Sequence, residues 1–208
     1  MVAIKICGVT RVEDALTCVS AGVESIGINF SRASKRYCDA ERAAQIAKAV
    51  AGRAMVVGVF VDSSYEEIVA VRDSIGLGCV QLHGSEPPEL LRRLLPHAYK
   101  ALRVRGPSIV HEVANYPGDH ILLDAYVPGA VGGTGARFDW TLARAVGRER
   151  RVTLAGGLTP ENVAEAVEIG LPYAVDVASG VERTPGIKDA VLVHAFVAAV
   201  RRASFPSS

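Results

Sequence analysis

What the 208-residue sequence lacks narrows its class first. No apolar run approaches the ~20 residues that a membrane-spanning helix needs. The chain opens directly in a strand-like pattern, so no leader peptide is expected either. There is no excess charge of one sign: 23 basic residues stand against 22 acidic ones, for a formal net charge of +1. That balance excludes a general pull toward nucleic acid or acidic membranes, and any anion site must be local. The small basic clusters, Arg92-Arg93 and the stretch 148–151, fall where helices should end and read as solvated charges that complement helix dipoles. Only four cysteines occur (Cys7, Cys18, Cys38 and Cys79), with no C-x-x-C spacing. Reduced thiols in a cytoplasm follow as the expectation. No low-complexity or linker-like stretch divides the chain, so residues 1–208 are expected to form one domain.

What is present is a rhythm of short apolar runs alternating with helical patterns. Strand candidates are 2–7, 25–30, 54–61, 79–83, 99–103, 120–124, 152–155 and 173–178. They are nearly continuous in Val, Ile, Leu and Ala, as parallel strands covered on both faces must be. Between them, Thr10-x-x-Glu13 and Ser64-x-x-Glu67 read as capping boxes, and Thr159-Pro160 as a helix start. Gly22, Gly76, Gly147 and Gly170 stand where helices should stop. Eight such units predict a closed (β/α)8 barrel of the TIM type. An open doubly wound sheet is the runner-up, but Cys7-Gly8-Val9-Thr10 is not the G-x-G-x-x-G turn that such a sheet usually carries. The longest irregular segment, 126–137, holds four glycines and a proline and reads as a functional lid or binding loop.

In a barrel of this type chemistry gathers at the C-terminal strand ends. Alternation puts Ala3, Lys5 and Cys7 on one face of the first strand and Val2, Ile4 and Ile6 on the other. The aliphatic face should meet helices, which leaves Cys7 at the inner rim. Cys7 is either a buried small apolar residue or a thiolate base or nucleophile. Asp124 closes the sixth strand on the inward face and is either a loop cap or an acid. Lys5 and Asp176 both point inward on neighbouring strands and are expected to pair. Gly156-Gly157 after the seventh strand and Ser179-Gly180 after the eighth are either tight turns or a phosphate cradle of backbone N–H groups. Ser34-Lys35-Arg36-Tyr37 after the second strand is an exposed basic loop or a carboxylate clamp built on Arg36. Gln81 and His83 alternate inward on the fourth strand and could line the same mouth or serve the structure.

Together these segments resemble a known family. Lys5-Ile6-Cys7-Gly8, Ser34-Lys35-Arg36-Tyr37, Val80-Gln81-Leu82-His83-Gly84 and Leu122-Leu123-Asp124 occur in order. Gly132-Gly133-Thr134-Gly135, Phe138-Asp139-Trp140, Ala155-Gly156-Gly157-Leu158-x-x-Glu161-Asn162 and Asp176-Val177-Ala178-Ser179-Gly180-Val181-Glu182 follow. Over essentially the whole chain the sequence resembles the phosphoribosylanthranilate isomerases of tryptophan biosynthesis. The resemblance implies an Amadori rearrangement of N-(5-phosphoribosyl)anthranilate to 1-(o-carboxyphenylamino)-1-deoxyribulose 5-phosphate. It implies Cys7 as general base, Asp124 as general acid, Arg36 on the anthranilate carboxylate, and Gly156, Gly157, Ser179 and Gly180 on the phosphate. No metal or organic cofactor is implied. The expected partner is a phosphorylated small molecule, with no nucleic acid and no membrane, for a monomer or homodimer. A depressed pKa at Cys7 is expected from N–H groups of the following turn. Asn29, and Arg32 within Phe30-Ser31-Arg32-Ala33, depart from the family pattern.

Rival readings are a histidine-pathway aminoaldose isomerase, indoleglycerol phosphate synthase and a non-catalytic phosphate-ligand barrel. The first would use two aspartates, where this chain offers Cys7 and Asp124. The second would need catalytic lysines at strand ends, and the third should have lost the thiol or the carboxyl.

Overall fold

In the computed structural model, which describes residues 1–125 and 138–204, the apolar runs become eight parallel strands. These are β1 (Ala3–Cys7), β2 (Ser25–Asn29), β3 (Met55–Phe60), β4 (Cys79–Leu82), β5 (Ala98–Val104), β6 (His120–Ala125), β7 (Arg151–Leu154) and β8 (Ala174–Val177). They pair in sequence order and close into a barrel through β1 and β8. Each predicted strand agrees with the observed one to within a residue or two. The helices α1 (Val12–Ser20), α2 (Ala40–Val50), α3 (Tyr65–Ile75), α4 (Pro88–Leu94), α5 (Ile109–Glu112), α6 (Thr141–Val146), α7 (Val163–Gly170) and α8 (Ala190–Ser204) follow the strands in turn. The glycine-rich segment 126–137, read above as a lid, lies outside the described residues.

Strand alternation sorts the side chains into two layers. Outward residues such as Ile4, Ile6, Ile26, Ile28, Val80, Leu82, Ile121, Leu123 and Val175 are fully buried in an aliphatic shell with the helices. Inward, Val57, Tyr99, Ala101, Leu122 and Ala155 form a smaller cluster. Buried polar groups on strands β1, β4, β7 and β8 join the interior: Lys5, Gln81, Thr153 and Asp176. Lys5 stands in register with Asp176 across the closing seam, and its Nζ lies 2.8 Å from Asp176 Oδ2. The expected pair therefore exists. Burial alone would lower the Lys5 ammonium, but Asp176, with Cys7 and Tyr99, overrides that and raises it. Removing one partner of such a pair strands a charge and costs roughly 3–5 kcal/mol.

Several local expectations need correction. Ser64 and Glu67 do form a capping box on α3, and Gly76 ends that helix in the left-handed conformation. Thr10 does not cap α1: its hydroxyl donates to the Gly186 carbonyl, 2.6 Å away, and Arg11 takes the N-cap position without a side-chain bond. A long-range bond to the hairpin has drawn the hydroxyl away from the N–H groups of the helix end. At Thr159-Pro160 the chain makes a turn before α7 starts, and Asn162, not Thr159, stands at the N-cap. The left-handed residue closing α7 is Leu171, with φ 44°, while Gly170 stays helical. The strand pattern also gave no warning of a hairpin, β9 (Glu182–Thr184) with β10 (Ile187–Lys188), between β8 and α8. Pro185-Gly186 is the turn signal that marks it.

His120, half-buried at the start of β6, stacks on Tyr99 with ring centroids 4.3 Å apart, and its Nε2 lies 2.8 Å from Thr153 Oγ1. Burial pushes its imidazole down to about 4 from the usual 6.5. Between those values the unfolded chain binds a proton that the folded chain refuses, so stability falls as pH drops below 6.5. The loss attributable to His120 is about 2 kcal/mol at pH 5. Urea unfolding at pH 7 and pH 5 should show a smaller acid-induced loss in His120→Gln than in the wild type. Equal losses would mean that another group controls this limb.

Candidate active site

The C-terminal strand ends open into a cavity of about 860 Å³, measured to include its open mouth. Cys7 from β1, Asp124 from β6 and Asp176 from β8 line it together with the loops after β2, β4, β7 and β8. A sulfur and a carboxyl that lie far apart in sequence therefore share one chamber. Gln81, His83, Arg36, Gly156, Gly157 and Ser179 also line it. Gly180 does not: a Cβ there would meet the Leu158 carbonyl at 1.9 Å, so Gly180 lets the loops after β7 and β8 touch.

Cys7 sits among charges. Across from it on β2 is Gly27, where an added Cβ would come 2.8 Å from Cys7 Sγ and 3.0 Å from Lys5 Nζ. The missing side chain is the space that thiol and ammonium occupy. Burial pushes the Cys7 thiol up, the Lys5 and Lys188 ammonium groups pull it down, and Asp176 adds to the rise; the net direction is upward. The expected depression by turn N–H groups is thus not what surrounds this thiol. Its counterweights are two cations. Asp176 has one oxygen on Lys5, while Oδ1 is buried without a hydrogen bond among the described residues.

Arg36 is more committed than an exposed clamp would be. Its Nε and Nη2 donate to the two oxygens of Glu182 at 2.8 and 2.7 Å. The end-on edge, Nη1 with the second Nη2 hydrogen, is what remains for a carboxylate in the cavity. Gly8 makes this approach possible, since at φ +71° a Cβ there would lie 2.3 Å from Arg36 Cδ. Glu182 also accepts from Lys188 Nζ at 2.9 Å, and Lys188 donates to the Cys7 carbonyl at 2.6 Å and the Ala178 carbonyl at 3.1 Å. Burial would raise the Glu182 carboxyl, but Arg36 and Lys188 hold it below the usual range. Burial lowers the Lys188 ammonium against the pull of Glu182. Glu182, Lys188 and Gly27 are functional neighbours that the strand and loop pattern alone did not single out.

The departures at the second loop have local explanations. Asn29 Oδ1 accepts from the Ser31 N–H at 2.9 Å and so turns the chain out of β2. Arg32 is exposed over the Tyr37 ring, 5.8 Å from its centroid, and is absent from the cavity wall. Opposite, Gly156 and Gly157 both have positive φ, at 88° and 63°. A Cβ on Gly156 would meet the Ala125 nitrogen at 2.4 Å and Asp124 Oδ1 at 2.9 Å. Buried Asn162 braces this turn, donating to the Gly157 carbonyl at 2.8 Å and accepting from the Thr159 N–H at 2.9 Å. Gly157 and Ser179 both line the cavity, the residue types whose backbone N–H groups could meet an oxyanion there.

His83 reaches the cavity from the loop after β4, with Nε2 3.2 Å from Asp124 Oδ2. That loop is held by a buried strut. Lys100 Nζ donates to Glu86 at 2.9 Å and to the Gly84 carbonyl at 2.8 Å, while Glu86 accepts from the Gly84 and Asp62 N–H groups. Among the described residues no group of His, Cys, Asp and Glu is arranged to hold a metal ion.

Comparison with known proteins agrees with this geometry. A family model described as N-(5'phosphoribosyl)anthranilate (PRA) isomerase matches residues 4–199. The N-(5'-phosphoribosyl)anthranilate isomerase of Geobacter sp. (strain M21) is 46% identical over 204 residues, covering 98% of this chain and 100% of its own. The crystal structure of phosphoribosyl anthranilate isomerase from Thermotoga maritima superposes with a TM-score of 0.89 at 39% identity, over 97% of this chain and 99% of that one. A structure of such an isomerase in complex with reduced 1-(o-carboxyphenylamino)-1-deoxyribulose 5-phosphate is also similar, with a TM-score of 0.85 at 38% identity and the same coverage.

The space beside Cys7 gives a prediction that needs no ligand. Gly27→Ala should destabilise the protein by roughly 1–3 kcal/mol, because a methyl there must displace both Sγ and Nζ. Urea unfolding measures it, and an unchanged midpoint would show that both groups can turn aside freely.

Proposed function

This chain belongs to the phosphoribosylanthranilate isomerase family and isomerises N-(5-phosphoribosyl)anthranilate to 1-(o-carboxyphenylamino)-1-deoxyribulose 5-phosphate, and from that premise we propose how its residues divide the work. Asp124 is the general acid and Cys7 the general base. Arg36 takes the anthranilate carboxylate on its end-on edge. The turns at Gly156-Gly157 and Ser179 take the phosphate through backbone N–H groups, while Gly180 lets the loops that carry them touch. Gln81 and His83 lie on the Asp124 side of the cavity, and Asp176 lines it from β8. The observation that carries this reading is that Cys7 and Asp124 line one cavity, with the glycine turns on its wall.

The chemistry runs in two proton transfers. Asp124 gives its proton to the furanose ring oxygen, the C1–O bond breaks, and the nitrogen lone pair forms a protonated imine at C1. Cys7 then removes the C2 proton, and the C2–H electrons flow into the imine to give an enolamine, which ketonises as C1 gains a proton and the C2 hydroxyl loses one. The protonated imine is the electron sink, so neither step requires a metal or organic cofactor.

Burial that raises the resting Cys7 thiol fits this order. An unperturbed thiol is only a few per cent ionised at neutral pH. Ring opening creates a cation next to the sulfur, beside Lys5 and Lys188, and a nearby positive charge favours the thiolate. The base is thus strengthened by the product of the first step. We further read residues 1–208 as one catalytic domain, a phosphorylated small molecule as its partner, the cytoplasm as its location and a monomer or homodimer as its state.

Two sets of kinetics test the assignment. Cys7→Ser and Asp124→Asn should each lower kcat by about 10²–10⁴ with far smaller changes in KM. Near-normal turnover in either would remove that group from proton transfer. For Arg36→Met the main loss should fall on KM, by tenfold or more, since a charge-assisted hydrogen bond is worth roughly 1.5–3 kcal/mol. A KM unchanged within error would send the carboxylate elsewhere.

A further inference from the structure

Four polar side chains on three adjacent strands form one file. Tyr99 on β5 is 3% exposed, and its hydroxyl donates to Gln81 Oε1 at 3.0 Å. Gln81 on β4 is fully buried, and its Nε2 lies 2.9 Å from His83 Nδ1. His83 Nε2 in turn lies 3.2 Å from Oδ2 of Asp124 on β6.

One direction of donation satisfies every group in the file. Burial raises the Tyr99 phenol above its ordinary value, so it keeps its hydrogen. Among the described residues, Gln81 Oε1 is the acceptor that faces this hydrogen. Turning the amide over would aim N–H at the phenol oxygen and leave the phenolic hydrogen unpaired, a buried loss of about 1–3 kcal/mol. Oε1 therefore faces Tyr99, and the amide nitrogen, a donor only, faces His83. Nδ1 must then be bare, and the imidazole hydrogen sits on Nε2, directed at Asp124. Asp124 is left with two unlike oxygens. Oδ2 is engaged by His83, while Oδ1 lies beside Gly156, 2.9 Å from where a methyl on that glycine would be.

Resting on the reading of Asp124 as the acid, we propose that Gln81 is a positioning residue: anchored by Tyr99, it fixes the tautomer of His83, so that Nε2–H holds Oδ2 of Asp124 and Oδ1 is the oxygen that carries the transferable proton. Gln81 thereby acts on the reaction through His83 and not by touching substrate. The file also explains why an amide stands at this position. A carboxylate would accept from both neighbours and reverse His83.

The test reads the tautomer directly. In protein labelled with ¹⁵N-histidine, long-range ¹H–¹⁵N correlation, with His83 assigned by difference against His83→Asn, should give the Nε2–H pattern without substrate. Gln81→Glu keeps an acceptor for Tyr99 but replaces the donor facing His83. It should move the hydrogen to Nδ1, lower kcat at least tenfold with KM within about twofold, and shift the alkaline limb of the kcat–pH profile, on which a general acid loses its proton. An Nδ1–H pattern in the wild type, or an unchanged pattern in Gln81→Glu, would overturn the proposal. Should Gln81→Glu not fold, Tyr99→Phe frees the amide to turn over and should show both tautomers with a reduced kcat; a pure Nε2–H pattern there would refute the anchoring. Failure of the acid assignment itself would appear separately, as turnover retained in Asp124→Asn with the His83 pattern untouched.

Discussion

Closure of the barrel between β1 and β8 sets Lys5 against Asp176, and this seam governs which side chains face the cavity. A strand has a period of two, so slipping β1 by one residue would drive Lys5 into the aliphatic shell and turn Ile4 and Ile6 inward. An ammonium stranded among the helices would be far costlier than any packing gained. The pair therefore works less as a source of net stability than as a penalty on wrong registers. Cys7 reaches the chamber because it stands two residues beyond Lys5 on the same face.

The same pair also sets the electrostatics of the site. Asp176 pairs with Lys5 through one oxygen, and Lys5 still counters part of the effect of burial on the Cys7 thiol. Lys188 does likewise from the other side while bonding the Cys7 and Ala178 carbonyls. The hairpin β9–β10 exists to bring Glu182 and Lys188 back over the β1 end, and through Glu182 it also holds Arg36. Cys7 and Arg36, the base and carboxylate clamp we propose, are thus joined by one ion network. A change at Glu182 would be felt at both, whereas residues on the Gly156 side should be spared.

The architecture was legible because its signals are periodic. Eight apolar runs and the alternation within them predicted the strands, the inward face, the Lys5–Asp176 pair and the shared location of Cys7 and Asp124. Local helix signals held where the competing partner was also local, as at Ser64 and Glu67. They failed where a distant acceptor intervened, as when Thr10 bonds Gly186 across the hairpin. Lys188, Glu182 and Gly27 were illegible for a related reason. Their roles depend on contacts between loops, and nothing in strand period or capping pattern encodes which loop tips meet. The environment of Cys7 was misjudged for the same cause: turn N–H groups are near in sequence, but the charges that matter come from β1, β8 and β10.

In the assignment we propose, the two groups that transfer protons, Asp124 as acid and Cys7 as base, are built differently, and the difference suits those tasks. Asp124 must present a proton on one defined oxygen before any substrate charge has developed. Its environment is accordingly a chain of directed hydrogen bonds from Tyr99 through Gln81 and His83, with the His83 loop held by the Lys100–Glu86 strut. Cys7 acts only after ring opening has produced a cation, and sulfur has weak directional preference. Its environment is accordingly burial set against opposed charges, to which a new positive charge would add in favour of the thiolate. In that proposal a fixed dipole chain stands on the acid side and a thiol set among opposed charges on the base side, so that the cation made in the first step would favour the thiolate needed in the second.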